Sequence, residues 1–242
     1  MILFDLTLPS PAENLACDEA LLDWCESGAE EEVLRFWEPP APFVVVGYAN
    51  QVAREVHRAA CAAGGVPILR RCSGGGTVVQ GPGCLNYALV LRITPTGPTR
   101  SIAAANQFVM ERNRTALESA IGNRQSAIQI QGHTDLALGQ RKFSGNSQRR
   151  RRRFLLFHGT MLLNFDLTLI NELLPMPSFQ PDYRQRRDHD EFLTNLNLPS
   201  ADVKAALRAA WAATEILSSP CPDTVTVLVE RKYSKAAWNF QR

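Results

Sequence analysis

What this sequence lacks narrows the field first. No stretch approaches the roughly 18 uninterrupted apolar residues of a membrane span. The opening MILFDLTLPSPAENL has no basic segment leading into a long apolar run, so neither a spanning nor an exported chain is indicated. The expectation is a cytoplasmic protein without a membrane partner. The six cysteines (Cys17, Cys25, Cys61, Cys72, Cys84 and Cys221) include no C-x-x-C pair. That argues against a zinc knuckle or a dense disulfide framework, and for reduced thiols. Four histidines with no H-x-x-x-H spacing give no support to a metalloenzyme. Internal repeats and long low-complexity linkers are missing too, and helix breakers are spread over all 242 residues. One domain over residues 1–242 is expected, with no accessory C-terminal domain.

Net charge is also small, at +2, but it is unevenly placed. Residues 141–153, RKFSGNSQRRRRR, hold seven basic side chains and no acid, which leaves 19 basic against 24 acidic residues elsewhere, a net −5. A basic segment on an acidic body can steer an acidic partner or touch phosphates, although a solvated basic loop explains it equally simply.

Hydrophobic periodicity and breakers predict the elements. A helix capped by Asn14 runs to about Glu26, and VLRFW and FVVVG read as strands separated by Pro39, Pro40 and Pro42. Residues 53–63 are alanine-rich and stop at Gly64-Gly65, as a helix does at its C-terminal breaker. Strands follow at Pro67-Ile68-Leu69-Arg70, TVVQ and LNYALVLRI, then a helix over 101–120. AIQIQ, DLAL, RKFSGNSQ and FLLFHGTMLLNF give four more strands, with Gly139-Gln140 as a hairpin turn. The last third is mostly helical, including a helix over 200–217 and a final one ending near Trp238. This order fits an α+β fold of mixed, mostly antiparallel sheets flanked by helices better than strict βαβ alternation.

Three segments could carry chemistry. In RRCSGGGTVV, Gly74, Gly75 and Gly76 lie between two β runs, where bare backbone can approach a ligand closely and its amides can face an anion, while Arg71 supplies a fork of donors. The spacing is neither a Walker loop nor a dinucleotide fingerprint, and a glycine-rich hairpin or bulge remains the competing reading. In TDLALGQRKFSGNSQ, pairing across Gly139-Gln140 puts Lys142 and Ser144 on one strand face and Phe143 on the other. The third segment is FHGT, with His158 inside an apolar run.

In combination these segments carry a resemblance. ENLACDEALL, VVVGYANQVAREV, RRCSGGGTVV, TDLALGQRKFSGNSQ and FHGTMLLN occur in the order found in the lipoate-protein ligase A family, within the wider fold group of biotin and lipoate protein ligases. The chain resembles a short member over nearly its whole length.

The resemblance implies an enzyme that activates lipoate or octanoate with ATP to an acyl adenylate. It then passes the acyl group to a lysine of a lipoyl domain, on a dehydrogenase E2 subunit or a glycine-cleavage H protein. Lys142 resembles the catalytic lysine that contacts both acyl carbonyl and phosphate. Arg71, Gly76, Thr77, Val78 and Val79 resemble the nucleotide-binding strip, with Gly74 and Gly75 lining the acyl tunnel. Asp135 is the nearest candidate for a Mg2+ ligand. The accessory domain of longer ligases has no counterpart after Phe240-Gln241-Arg242, so a separate accessory protein is one expectation.

Two other readings stay open. Octanoyl transfer from acyl carrier protein, without ATP, is suggested by Gln80-Gly81-Pro82-Gly83, which echoes transferases of the same fold. Against it, the transferase cysteine lies just before the strand aligned with DLALGQRKFSG, where this chain has Gln131-Gly132-His133-Thr134. Nucleic-acid binding through residues 149–153 is opposed by the acidic remainder and the lack of interleaved aromatics. A docking role for that run, beside Lys142 and toward an acidic lipoyl domain, is the expectation taken into the structure.

Overall fold

The structure is a computed structural model that describes residues 1–122, 127–217 and 222–241. In chain order its elements are β1 (Ile2–Asp5), α1 (Pro11–Trp24, extended by a π turn over Cys25–Ala29), β2 (Val33–Trp37), β3 (Phe43–Val46), α2 (Val52–Glu55), α3 (Arg58–Ala63), β4 (Ile68–Arg70), β5 (Val78–Gln80), β6 (Cys84–Arg92) and α4 (Ile102–Ile121). There follow β7 (Ile128–Gln131), β8 (Asp135–Leu138), β9 (Arg141–Arg150), β10 (Phe154–Leu162), α5 (Thr168–Leu173), α6 (His189–Phe192), α7 (Ser200–Ala210), β11 (Glu215–Ile216), α8 (Pro222–Leu228) and α9 (Ala236–Asn239).

Among the described residues, eight strands form one sheet in the order β11-β1-β2-β6-β10-β9-β8-β7, and three form a second in the order β4-β3-β5. Only the β11–β1, β1–β2 and β3–β4 pairs are parallel, so the α+β expectation with mostly antiparallel sheets holds. Alternation along the central strands separates two cores. Leu85, Tyr87, Leu89 and Leu91 of β6 and Leu155 and Phe157 of β10 pack with α4 and α7. Ala88, Val90, Phe154 and Leu156 face the other way, toward α1 and residues of the small sheet. A third cluster joins the small sheet to α5 and α6. Between the sheets a cavity remains.

Four local expectations are corrected. Helix α1 is capped by Ser10, not Asn14: Ser10 Oγ accepts the Glu13 N–H, Glu13 Oε2 accepts the Ser10 N–H, and Pro11 opens the first turn. Asn14 lies one turn inside and ties down Leu8 and Ser10 through their backbone. The alanine-rich helix is broken at Val56, which is extended and buried, while the His57 N–H bonds Leu173 O and so fixes the chain to α5. Helix α7 stops at Ala210, and Glu215–Ile216 instead forms β11 by pairing with β1. Finally, the β8–β9 register skips between Leu136 and Ala137, which pair with Ser144 and Lys142 and leave Phe143 as the extra residue. Ser144 is buried with Phe143, while Lys142 remains half-buried over Gly145.

Candidate active site

The glycine loop is built by Arg71 itself. Its guanidinium donates to Gly74 O from Nε at 3.0 Å and from one terminal nitrogen at 2.5 Å, to Gly76 O at 2.7 Å, and from the other to Val45 O at 3.4 Å. Burial pulls this arginine down to about 10, so it is still charged at neutral pH. Two glycines are sterically required here. Gly75 has φ +83°, and a Cβ on Gly47 would sit 2.0 Å from Gly75 O. Arg70 holds the neighbouring turn and the C-terminal segment, donating to Gly47 O, Asn50 O, Trp238 O and Gln241 O.

The loop borders a cavity of about 680 Å3 between the sheets. Arg71, Gly75, Gly76, Thr77 and Val78 line it from the small-sheet side, with Lys142 opposite. Val79 borders an adjoining cavity of about 110 Å3 behind Lys142. Gly74 lines neither, and its carbonyl is committed to Arg71. The structure thus brings most of the expected strip and the lysine to one space. Pro177, Phe179 and Tyr183 close one side, with the Phe179 ring 89% exposed at the rim.

Lys142 Nζ lies 2.8 Å from Asp135 Oδ1, and Tyr183 donates its hydroxyl to Asp135 Oδ2 at 2.7 Å. Burial, with the Asp135 charge beside it, raises the Tyr183 phenol well above its ordinary range, so it stays a donor. Both Asp135 oxygens are therefore spent on side chains. No group of three or more His, Cys, Asp or Glu suited to a metal ion occurs among the described residues. Asp135 thus anchors Lys142 in this structure, and no observation assigns it a magnesium ion.

Beneath the loop lies a buried polar chain that sequence reasoning mostly missed. Asp18 on α1 meets Arg35 at 2.5 Å and His158 Nδ1 at 2.9 Å; His158 Nε2 meets Ser73 Oγ at 2.5 Å, and Ser73 Oγ meets Ser147 Oγ at 2.7 Å. Burial works against the Asp18 charge, yet Arg35 and His158 together hold its carboxyl below its ordinary 3.8. His158 was noticed in the sequence. The sequence marks Asn14 only as a helix cap and Asp18 only as an acid near the helix start; that both are buried on α1 shows in the structure alone.

The basic run does not stand beside Lys142. Arg149 and Arg150 end β9, seven and eight residues on, and the latter offset is roughly 25 Å at about 3.3 Å per residue. Two arginines of the run pair with acids at the end of α1, Arg151 with Asp23 at 2.8 Å and Arg153 with Glu30 at 2.7 Å, and Glu26 accepts the backbone N–H groups of Arg152, Arg153 and Phe154. Arg149 stacks over Tyr48.

The described cysteines, Cys17, Cys25, Cys61, Cys72 and Cys84, are all buried; Cys221 lies outside the described residues. Burial pushes the Cys72 and Cys84 thiols up to about 12. None of the five lines the cavity, where the stretch before β8 contributes Gly132, His133 and Thr134. No helix among the described residues is long and apolar enough to cross a membrane.

Two sheets facing each other across such a cavity form the catalytic-domain fold of lipoate protein ligases. The whole chain superposes on 97% of one component of a bipartite lipoate protein ligase from Thermoplasma acidophilum with a TM-score of 0.83, at 21% identity. The chain belongs to the lipoyl protein ligase A/B catalytic domain family, whose model matches residues 10–210. It is 28% identical to octanoyltransferase LipM of Geobacillus kaustophilus, over 96% of this chain and 95% of that one. It is 27% identical to lipoate–protein ligase 1 of Staphylococcus aureus, over 97% of this chain and 71% of that one. The family is thus one of enzymes, ligases and acyltransferases of protein lipoylation.

Proposed function

We propose that this chain is an ATP-dependent ligase that joins lipoate, or octanoate, to a lysine of a lipoyl domain. The observation that carries this reading is a cavity with a lysine, a buried arginine and a glycine strip but no cysteine among the described residues that line it. Acyl transfer through an enzyme thioester needs a reachable thiolate, and thiols pushed up to about 12 inside the core do not supply one. The resemblance implies a transferase cysteine just before the strand aligned with DLALGQRKFSG, and here Gly132, His133 and Thr134 line the cavity from that stretch.

The chemistry then runs in two steps. A carboxylate oxygen attacks the α-phosphorus of ATP, forming the acyl adenylate and releasing pyrophosphate. Two anions meet, and Lys142 with the loop amides provides the fixed positive field they need in a confined site. In the second step the acceptor lysine's amine attacks the acyl carbon, and an amide forms as AMP leaves with the electrons of the broken bond. The anhydride is already activated, so the main task is to hold the amine in line, and no enzyme nucleophile is required.

Residues 1–242 act as a single catalytic unit in this reading, with a separate accessory protein as partner; the bipartite archaeal ligase supports that arrangement by analogy. The acceptor is a lipoyl domain of a dehydrogenase E2 subunit or an H protein. A second reading, ATP-independent transfer from octanoyl carrier protein, is favoured by the relative named octanoyltransferase LipM and by Gly81-Pro82-Gly83. Paired assays separate the two. Purified protein with ATP, lipoate and a lipoyl domain should add a lipoyl mass to the domain. A covalent acyl-enzyme formed from octanoyl carrier protein without ATP would overturn the ligase reading.

A further inference from the structure

The cavity floor carries a second polar relay, which the mechanism above leaves unused. Pairing of β2, β6, β10 and β9 sets Trp37, Asn86, Thr160 and Gly145 side by side across four strands. From the small sheet, Gln80 Nε2 donates to Thr160 Oγ1 at 2.7 Å, and Thr160 in turn donates to Asn86 Oδ1 at 2.6 Å. A hydroxyl has one proton to give, so the two amide orientations are coupled: with Gln80 donating to Thr160, Asn86 must present its oxygen. This leaves Asn86 Nδ2 and Gln80 Oε1 without a partner, on side chains of residues only 2% and 6% exposed that both line the cavity. An orphaned buried amide bears its full desolvation penalty until a ligand meets it. Lys142 Nζ lies over Gly145, the residue paired with Thr160. Asn86 and Gly145 thus flank Thr160, one strand to either side, and the free donor and the lysine belong to residues that line the same cavity.

We propose that Asn86 is a catalytic residue whose side-chain N–H donates to the acyl carbonyl oxygen held at Lys142, and that Gln80 and Thr160 are positioning residues that set which way the amide points. The proposal rests on the ligase reading. In the transfer step the amine nitrogen bonds to the acyl carbon and the carbonyl electron pair moves onto oxygen. It returns as the bond to the phosphate oxygen breaks and AMP leaves, and the amine's proton passes to solvent. Negative charge grows on the oxygen that Asn86 meets, where one preorganised donor contributes about 100- to 1000-fold in rate. In adenylate formation the same oxygen begins as half of a carboxylate and loses charge, so there the donor aids binding of the acid more than the rate.

The test measures both half-reactions in Asn86→Leu, a near-isosteric change without a donor. Single-turnover transfer from preformed acyl adenylate to a lipoyl domain should slow by about 100-fold. ATP–pyrophosphate exchange should keep its kcat within about threefold while the KM for lipoate rises. Gln80→Glu tests the relay from outside the contact. A glutamate can only accept, so Thr160 donates to it and must accept from Asn86, turning Nδ2 away; the same selective loss of transfer is expected, and Gln80→Met should cost less. Unchanged transfer in folded Asn86→Leu, or equal losses in both half-reactions for both Asn86→Leu and Gln80→Glu, overturns the assignment. Wild-type protein that shows no pyrophosphate exchange refutes the ligase reading itself and takes this proposal with it.

Discussion

Replacing Arg71 by lysine tests whether the glycine loop is shaped from within. The guanidinium spans Gly74 O, Gly76 O and Val45 O through three nitrogens in one plane. A lysine offers one nitrogen and cannot cover that fork, so at least two charge-assisted bonds are lost. At about 1.5–3 kcal/mol each, the loop loses on the order of 3 kcal/mol of ordering energy, equivalent to roughly 100-fold in the population of its binding-competent form. Because apparent affinity scales with that population, Arg71→Lys should raise the KM values for acid and nucleotide in ATP–pyrophosphate exchange by about that factor. Charge is retained, so the loss reports geometry rather than field. A thermal melt run alongside should show the core intact. If Arg71→Lys keeps both KM values within about threefold of wild type, the loop does not depend on the fork and the reasoning fails.

Other consequences can be checked directly. Lys142→Ala should abolish the lipoyl mass gain of a lipoyl domain, and activity that survives would remove Lys142 from the mechanism. Asp18→Asn breaks a pair whose partners are 0% and 3% exposed, at a cost of about 3–5 kcal/mol in a urea melt at pH 7. The sign of its pH dependence follows from the depressed carboxyl: the stabilisation is complete above the unfolded value near 3.8 and disappears as pH falls through the lower folded value, so the gap between wild type and variant should narrow only in acid. Reversing Arg151 and Arg153 to glutamate sets like charges against Asp23 and Glu30, so the melting temperature should fall by a few degrees while the ratio of transfer to adenylation holds. A selective loss of transfer there would reinstate the docking role.

Reading the sequence placed most strands because their signals are local. Alternation marks β6 and β10, and glycine and proline breaks mark their ends. Boundaries failed where a distant partner decided them. The alanine-rich helix is interrupted because Leu173 takes the His57 N–H, and 215–216 becomes a strand because β1 offers an edge. A bulge at Phe143 likewise overrode simple alternation around Lys142.

By itself the sequence determined the fold class, the glycine loop with its arginine, the lysine that faces it, and the lack of a cysteine before β8. Each is a matter of residue type at short spacing. Only the tertiary structure decided what those residues meet. Sheet order sets Asn86 beside Thr160, brings Asp18 to His158 across 140 positions and lays the acidic end of α1 against the basic hairpin. The reason is physical: buried polar and charged groups must find partners, and those partners are supplied by strand pairing and helix packing between segments far apart in the chain, where local periodicity carries no signal.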